Sequence, residues 1–233
     1  MTVREQVVSA LADQLTAADI GHPLRVGIDG PCGSGKTTLA VQLTQAVSAR
    51  GRAAVHVDSD GFHNAQGIRY RQGRDSARGY YDDAYNFDAL VERVLLPLGP
   101  DGSRVYTTKV HDMGTDRVVT DEMATAPRDA VVVFGCTFLQ RGSLSACWDG
   151  VIYLEVRREI AFARGVARDA EALGGDDNAR RAYADRYMAA YDLYVREERP
   201  AEKASIVVNQ DDFAAPRIVR GPQVRDPRCD PGH

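Results

Sequence analysis

Residues Gly30 to Thr37 read G-P-C-G-S-G-K-T, a glycine-rich turn that closes on a lysine and a hydroxyl. Glycine enters the left-handed backbone region without steric cost, so Gly30, Gly33 and Gly35 let successive N–H groups converge on an anion. Lys36 adds a full positive charge, and the Thr37 hydroxyl is a ligand for Mg²⁺. The spacing predicts a phosphate-binding loop in which Gly30, Pro31, Cys32, Gly33, Ser34, Gly35, Lys36, Thr37 and Thr38 surround the phosphates of a nucleoside triphosphate. Leu24 to Ile28 is an apolar run of strand length, and Leu39, Leu43 and Val47 recur at helical spacing. A strand therefore enters the loop, and a helix leaves it with its positive end aimed at the same anion. A chance glycine turn is the competing reading, and the flanking elements argue against it.

The next groups able to do chemistry follow the strand AAVHV at 53–57, which ends in Asp58-Ser59-Asp60. In a parallel sheet the carboxyl ends of neighbouring strands share one crevice. Asp60 is accordingly the candidate base for an acceptor hydroxyl, with an Asx-type turn cap as the plain alternative. Asp58 either helps hold Mg²⁺ through water or simply ends the strand. Residues 61–86 show little periodicity but many arginines, tyrosines and aspartates. A structureless stretch of that length is usually functional or disordered, and its aromatics argue against disorder. Phe62, His63, Arg69, Arg74, Tyr81 and Asp83 are candidate acceptor contacts, because aromatics offer a stacking face and Asp or His hydrogen-bond hydroxyls. For any single arginine here the competing reading is a solvated loop face.

Five strands must position these groups, at 24–29, 53–57, 130–134, 151–156 and 205–208. They are apolar almost throughout and alternate with helical patterns at 3–19, 36–49, 88–98 and 157–199, which predicts a parallel sheet covered on both faces. Residues 104–120 alternate like a small β-hairpin. Arg164 and Arg168 stand four apart on one helical face, with salt bridges to Glu159, Asp169 or Glu171 as the alternative to a functional role. Gly174-Gly175 interrupts that helical region. One domain over 1–220 is expected, with a disordered tail at 221–233 that is rich in proline, glycine and charge.

A net charge of −4 and a pI near 5.7 argue against nucleic acid or an anionic membrane surface as partner. The start reads as an amphipathic helix rather than a signal peptide, and no apolar run is long enough to span a bilayer. Four cysteines without a C-x-x-C pair fit a reducing cytoplasm better than a disulfide scaffold. Cys136 has no neighbour in sequence that would make its thiol a nucleophile. His22, His56 and His233 lack metal-ligand company.

The phosphate loop, followed by Asp-Gly-Phe-His at 60–63, RYRQGRDS at 69–76 and DAYNFDAL at 83–90, resembles the uridine kinase family of P-loop nucleoside kinases. KVHD at 109–112, FARGVARD at 162–169, RYMAAYDLY at 186–194 and VVNQDD at 207–212 agree with it. The resemblance covers roughly residues 20–215; phosphoribulokinase and pantothenate kinase are cousins. It implies a P-loop α/β fold with a five-stranded parallel core, a small β-element and a mobile helical lid over roughly 157–186. It implies transfer of the γ-phosphoryl of ATP or GTP, with Mg²⁺, to a small-molecule alcohol, by default the 5′-hydroxyl of uridine or cytidine, and allows a homo-oligomer. By the same resemblance Asp60 is the base, His111 and Asp112 bind the acceptor, and Arg164 and Arg168 are lid arginines that act with Lys36 on the phosphates. Asn209, after the fifth strand, is expected near the nucleotide base. One departure stands out. Where the family usually has an acidic residue and a glycine after the third strand, this chain has Gly135-Cys136. Three readings stay open: the remaining acids and the phosphates hold the metal, the acceptor has changed to a modified nucleoside or other alcohol, or catalysis is weak. A regulatory nucleotide-binding protein without transferase activity is the alternative from another class.

Overall fold

A computed structural model describes residues 1–221; the expectation for the tail beyond Gly221, and Cys229 and His233 with it, lies outside the described residues. The chain begins with α1 (Val3–Ala17), whose Thr2 cap and Glu5 bond each other's backbone N–H reciprocally. Then follow β1 (Leu24–Asp29), α2 (Lys36–Ser48) and β2 (Ala54–Val57). After a tight turn at Ser59–Phe62 come α3 (Gln66–Arg69), α4 (Ala77–Asp83) and α5 (Phe87–Leu90), the last extended by a wide i→i+5 turn to Leu95. A small β-element contains β3 (Val105–Thr107), β4 (His111–Asp112), β5 (Arg117–Val118) and β6 (Met123–Thr125). The remainder is β7 (Val131–Gly135), β8 (Gly150–Glu155), α6 (Arg158–Asp169), α7 (Asp176–Arg181), α8 (Ala189–Glu198), α9 (Pro200–Lys203), β9 (Ile206–Asn209) and β10 (Arg217–Arg220).

The main sheet has the order β10-β9-β8-β1-β7-β2. Five of its strands are parallel, as expected, and the sixth is a correction: β10 pairs antiparallel with β9 at the edge. Its sequence, Arg-Ile-Val-Arg, sets two apolar residues between charges, with exposed and half-buried positions alternating as befits an edge strand, so it lacks the continuous apolar run that marks the others. The sheet buries both faces. Val26, Ile28, Val131, Val133, Ile152, Leu154, Ile206 and Val208 pack under α1 and α2, through Leu11 and Leu15 of the first and Leu39 and Leu43 of the second. Val132, Phe134, Val151, Tyr153 and Val207 pack on the other side, against Trp148, Leu90, Leu95 and Leu98.

The hairpin expected at 104–120 is re-partnered. β4 pairs with β5 as a tight hairpin, whereas β3 reaches past it to β6. The segment 61–86 is not structureless, since α3 and α4 lie within it.

The register sets the site. Ile28 pairs with Gly135 and Asp29 with Tyr153, so the loop leaving β1 starts beside the ends of β7 and β8. The carboxyl ends of β1, β2 and β7 thus open into one crevice, and α6 lies over it. A Cβ on Gly33, which has φ +80°, would come 2.3 Å from the carbonyl oxygen of Ala161 in α6. Only glycine lets the loop and α6 approach so closely.

Candidate active site

The crevice encloses about 360 Å³ between the phosphate loop, the turn after β2, α3, α4, α6 and residues 182–188, a size suited to small-molecule ligands. On one wall lie Cys32, Gly33, Gly35, Lys36, Thr37 and Thr38. Lys36 Nζ donates to the carbonyls of Gly30 (2.9 Å) and Pro31 (2.8 Å), and burial lowers its pKa. Ser34 Oγ is buried inside the loop without a partner. Thr37 at the start of α2 is exposed to the crevice. An orphaned hydroxyl, positive-φ glycines and a half-buried lysine at a helix N-terminus fit a polyphosphate.

Behind the loop, Asp29 is fully buried. Its carboxyl accepts from Gly30 N–H (2.7 Å), from Gln140 Nε2 (3.0 Å) and from the Tyr194 hydroxyl, while burial pushes its pKa up. Gln210 Nε2 donates to the Ser34 carbonyl from the opposite side. The loop conformation is therefore held by β1, α8 and the segment after β9 together.

Asp60 faces the same crevice. Burial first, and then the neighbouring Asp58 carboxylate, push its pKa up, while Arg168 works in the other direction. Asp58 is placed differently: its Oδ1 caps the turn by accepting Asp60 N–H (3.1 Å). The turn cap considered for Asp60 thus falls to Asp58. Arg168 lines the crevice and is braced by Asp169 at 2.7 and 2.9 Å, whose carboxyl also accepts from Tyr183 (2.6 Å). Arg164, one turn earlier, points elsewhere. It donates to the carbonyls of Gln210 (2.9 Å) and Asp211 (2.6 Å) and lies 5.9 Å from the Phe213 ring. The two arginines share a helix but not a wall: Arg168 lines the crevice, whereas Arg164 is spent on the segment after β9.

A sequence profile of the phosphoribulokinase / uridine kinase family matches residues 25–211. The chain belongs to that family. As a member it is a phosphotransferase with a P-loop nucleotide site. It is 27% identical over 154 residues to the uridine kinase of Latilactobacillus sakei, covering 65% of this chain and 69% of that one. To the uridine kinase of Leuconostoc citreum it is 23% identical over 188 residues, covering 80% and 87%. Among solved structures, a possible uridine kinase from Bacillus stearothermophilus superposes with TM-score 0.66 at 24% identity, covering 86% of this chain and 96% of that one. D-glycerate 3-kinase from Cryptococcus neoformans does so with TM-score 0.58 at 11% identity, covering 92% and 99%. At these identities the structures establish a shared fold.

The kinase's acceptor wall differs from its sequence-based outline. His63 and Arg69 line the crevice. The His63 ring lies 4.3 Å from that of Tyr85, tilted by 39°, and burial, then the Arg69 charge, push its pKa down to about 4, so the ring is neutral at pH 7. Phe62 does not reach the crevice: it is a core residue set edge-on against Phe134 at 5.7 Å. Tyr81 packs on Phe138 (5.1 Å) and Arg141, leaving the crevice to its neighbour Tyr80. On the short α4, adjacent tyrosines face different ways, and sequence spacing alone does not choose between them. Asp83 is buried with its carboxyl bonded to Arg71 and to Gln72 (2.7 Å). Arg74 is exposed over the Tyr70 ring at 4.5 Å.

In the small β-element, Asp112 closes the hairpin by accepting the Thr115 N–H and hydroxyl at 2.8 Å each. Its neighbour His111 is buried, its Nε2 3.0 Å from Asp116 and its Nδ1 without a partner, two positions before Met113, which lines the crevice. Asn209 lies by Glu155 (3.4 Å) at the end of β9 and does not line the crevice.

Gly135, Cys136 and Thr137, which follow the third strand expected from the sequence, line the crevice. A Cβ at Gly135 would sit 3.4 Å from the Lys36 backbone, and burial pushes the Cys136 thiol up, so it is neutral rather than nucleophilic. Of the expected metal-binding groups Thr37 lines the crevice and Asp58 does not, while Asp60 does. Among the described residues no three His, Cys, Asp or Glu side chains converge. Such a set suits Mg²⁺, which takes one or two protein ligands and fills its shell with phosphate oxygens and water.

Sequence reasoning missed one wall. Tyr183, Arg186 and Tyr187 project into the crevice from the wide i→i+5 turn at Ala182–Met188. Their i, i+3, i+4 spacing was the available signal.

Proposed function

We propose that this kinase transfers the γ-phosphoryl group of ATP to a primary hydroxyl of a small acceptor held against Asp60. A nucleoside of the uridine or cytidine type is the first acceptor to test, because the relatives are uridine kinases and the wall of Tyr80, Tyr85 and Tyr187 suits a planar ring. The observation that carries the reading is that Asp60, the phosphate loop and Arg168 line one crevice. A modified nucleoside or a non-nucleoside alcohol is the second reading, favoured by Gly135-Cys136 in place of the family's acid.

Bound ATP would supply the transferred group, and Mg²⁺ on Thr37 Oγ1 would neutralise its β- and γ-oxygens. The chain's part is positioning and charge. The loop N–H groups and Lys36, released from the Gly30 and Pro31 carbonyls, hold the phosphates. The carboxyl of Asp60 takes the acceptor's proton or orients its hydroxyl in line. Its raised pKa suits it to accept a proton near neutral pH better than an ordinary carboxylate. Arg168, fixed by Asp169, meets the charge that spreads over the equatorial oxygens.

The test is acceptor-dependent ADP release with Mg²⁺ and ATP, with the product mass measured. Asp60→Asn is expected to lower kcat by about 10² or more while the affinity for an ATP analogue stays within about twofold. Unchanged turnover in that variant would remove Asp60 from the chemistry.

A further inference from the structure

Two guanidinium groups on the acceptor side of the crevice lack a counter-charge of their own. Arg69 of α3 is 5% exposed and Arg186 of the wide turn 8% exposed, and the Nε of each is buried without a partner. Both line the crevice, and both lie over the Tyr70 ring, at 5.2 and 4.9 Å from its centroid. Arg186 is further surrounded by Tyr80 (5.1 Å) and Tyr187 (5.7 Å). Among the described residues no carboxylate pairs with it. The nearest acid to Arg69 is Asp116 at 4.0 Å, beyond hydrogen-bond reach and already committed to Gln66 N–H (2.9 Å) and His111 (3.0 Å).

Withdrawing a guanidinium from water is costly unless its donors are met. Tyrosine faces return part of that cost but accept none of the in-plane N–H bonds. The cations at the phosphate end are accounted for, Lys36 by the loop and Arg168 by Asp169. Arg69 and Arg186 are left facing the space where the acceptor must lie, with forked donors that match a carboxylate or phosphate bidentately.

We infer that the acceptor is an alcohol bearing an oxyanion, a carboxylate or a phosphate monoester, held by Arg69 and Arg186 while its hydroxyl faces Asp60. The inference rests on the kinase reading above and adds the group that selects the acceptor. A neutral nucleoside would leave both charges uncompensated in the closed crevice.

Acceptors matched in skeleton test it: uridine against orotidine and uridine 3′-phosphate, and glycerol against D-glycerate and glycerol 3-phosphate. The carboxylate and phosphate arms tell which oxyanion is preferred. With Mg²⁺ and ATP, at least one anionic member should exceed its neutral partner about 100-fold in kcat/KM, and Arg69→Gln or Arg186→Gln should erase most of that margin, raising the acceptor's KM. The KM for ATP should stay within about twofold, since neither arginine is assigned to the triphosphate. Neutral members turning over as well as the anionic ones would overturn the inference and leave the kinase reading intact. An equal loss of ATP affinity in both variants would overturn it too, by assigning the arginines to the nucleotide. If no alcohol in the panel releases ADP, calorimetry decides. Glycerol 3-phosphate and D-glycerate are titrated into enzyme saturated with Mg²⁺ and AMP-PNP, so that the phosphate loop is blocked. Anion binding abolished by either substitution would support the oxyanion site at Arg69 and Arg186 on which the inference rests, and binding that is absent in the wild type or survives both substitutions would overturn it.

Discussion

Asp58 and Asp60 stand two residues apart and occupy different environments. Asp58 spends an oxygen on the Asp60 N–H, whereas the Asp60 carboxyl enters the crevice, where burial and the Asp58 charge raise its pKa. If Asp60 is the base, the acid limb of kcat/KM lies above the ordinary carboxylate value of about 4. Asp58→Asn removes a like charge, which favours the ionised form, so the limb is expected to move to lower pH. A pH–rate profile of that variant checks the sign, and a limb that stays put or rises would dissociate it from Asp60. The same contrast limits what side-chain identity reveals. Asp60, His63, Arg69, Lys36 and Arg168 line the crevice as their types suggested, while Phe62, Tyr81 and Asp83, equally plausible from type, turn into the protein.

At the scale of elements, α6 is clamped between the phosphate loop and the wide turn of 182–188. Gly165 makes that possible, because a Cβ there would lie 2.0 Å from the Tyr183 ring. Tyr183 is buried and bonded to Asp169, the brace of Arg168. Gly165→Ala is expected to cost about 1–3 kcal/mol by overpacking, and to lower kcat by shifting the Asp169–Arg168 pair. Urea denaturation and steady-state kinetics on the same preparation separate the two effects. A variant of unchanged stability and activity would mean that the contact relaxes freely. The long segment 61–86 shows why element-level reading stalls. Its helices α3 and α4 span four and seven residues, too short for apolar periodicity to emerge, and they are set by caps such as Ser76 on Gly79 N–H (2.9 Å).

Across the whole molecule, the strand order forces remote segments to meet. Arg25 of β1 and Asp149 before β8 form a two-pronged pair at 2.7 and 2.8 Å, with side chains 9% and 15% exposed, and Arg25 also reaches the Leu95 carbonyl at 3.0 Å. Asp149→Ala leaves that guanidinium buried and unpaired, an expected loss of about 3–5 kcal/mol. Thermal or urea unfolding measures it, and kcat should be unchanged because the pair lies at the opposite ends of the strands from the crevice. The sequence by itself determined the phosphate loop of this protein: the loop is contiguous, and its flanking strand and helix sit with it between Leu24 and Ser48. The five parallel strands were legible for a similar reason, since burial on both faces writes an unbroken apolar run. Only the tertiary structure decided which residues form the wall opposite the phosphate loop, where an acceptor is proposed to lie. There Asp60, Arg69, Tyr80 and Arg186 come from four separate elements, and which side of each element faces the crevice depends on packing between them rather than on any local pattern.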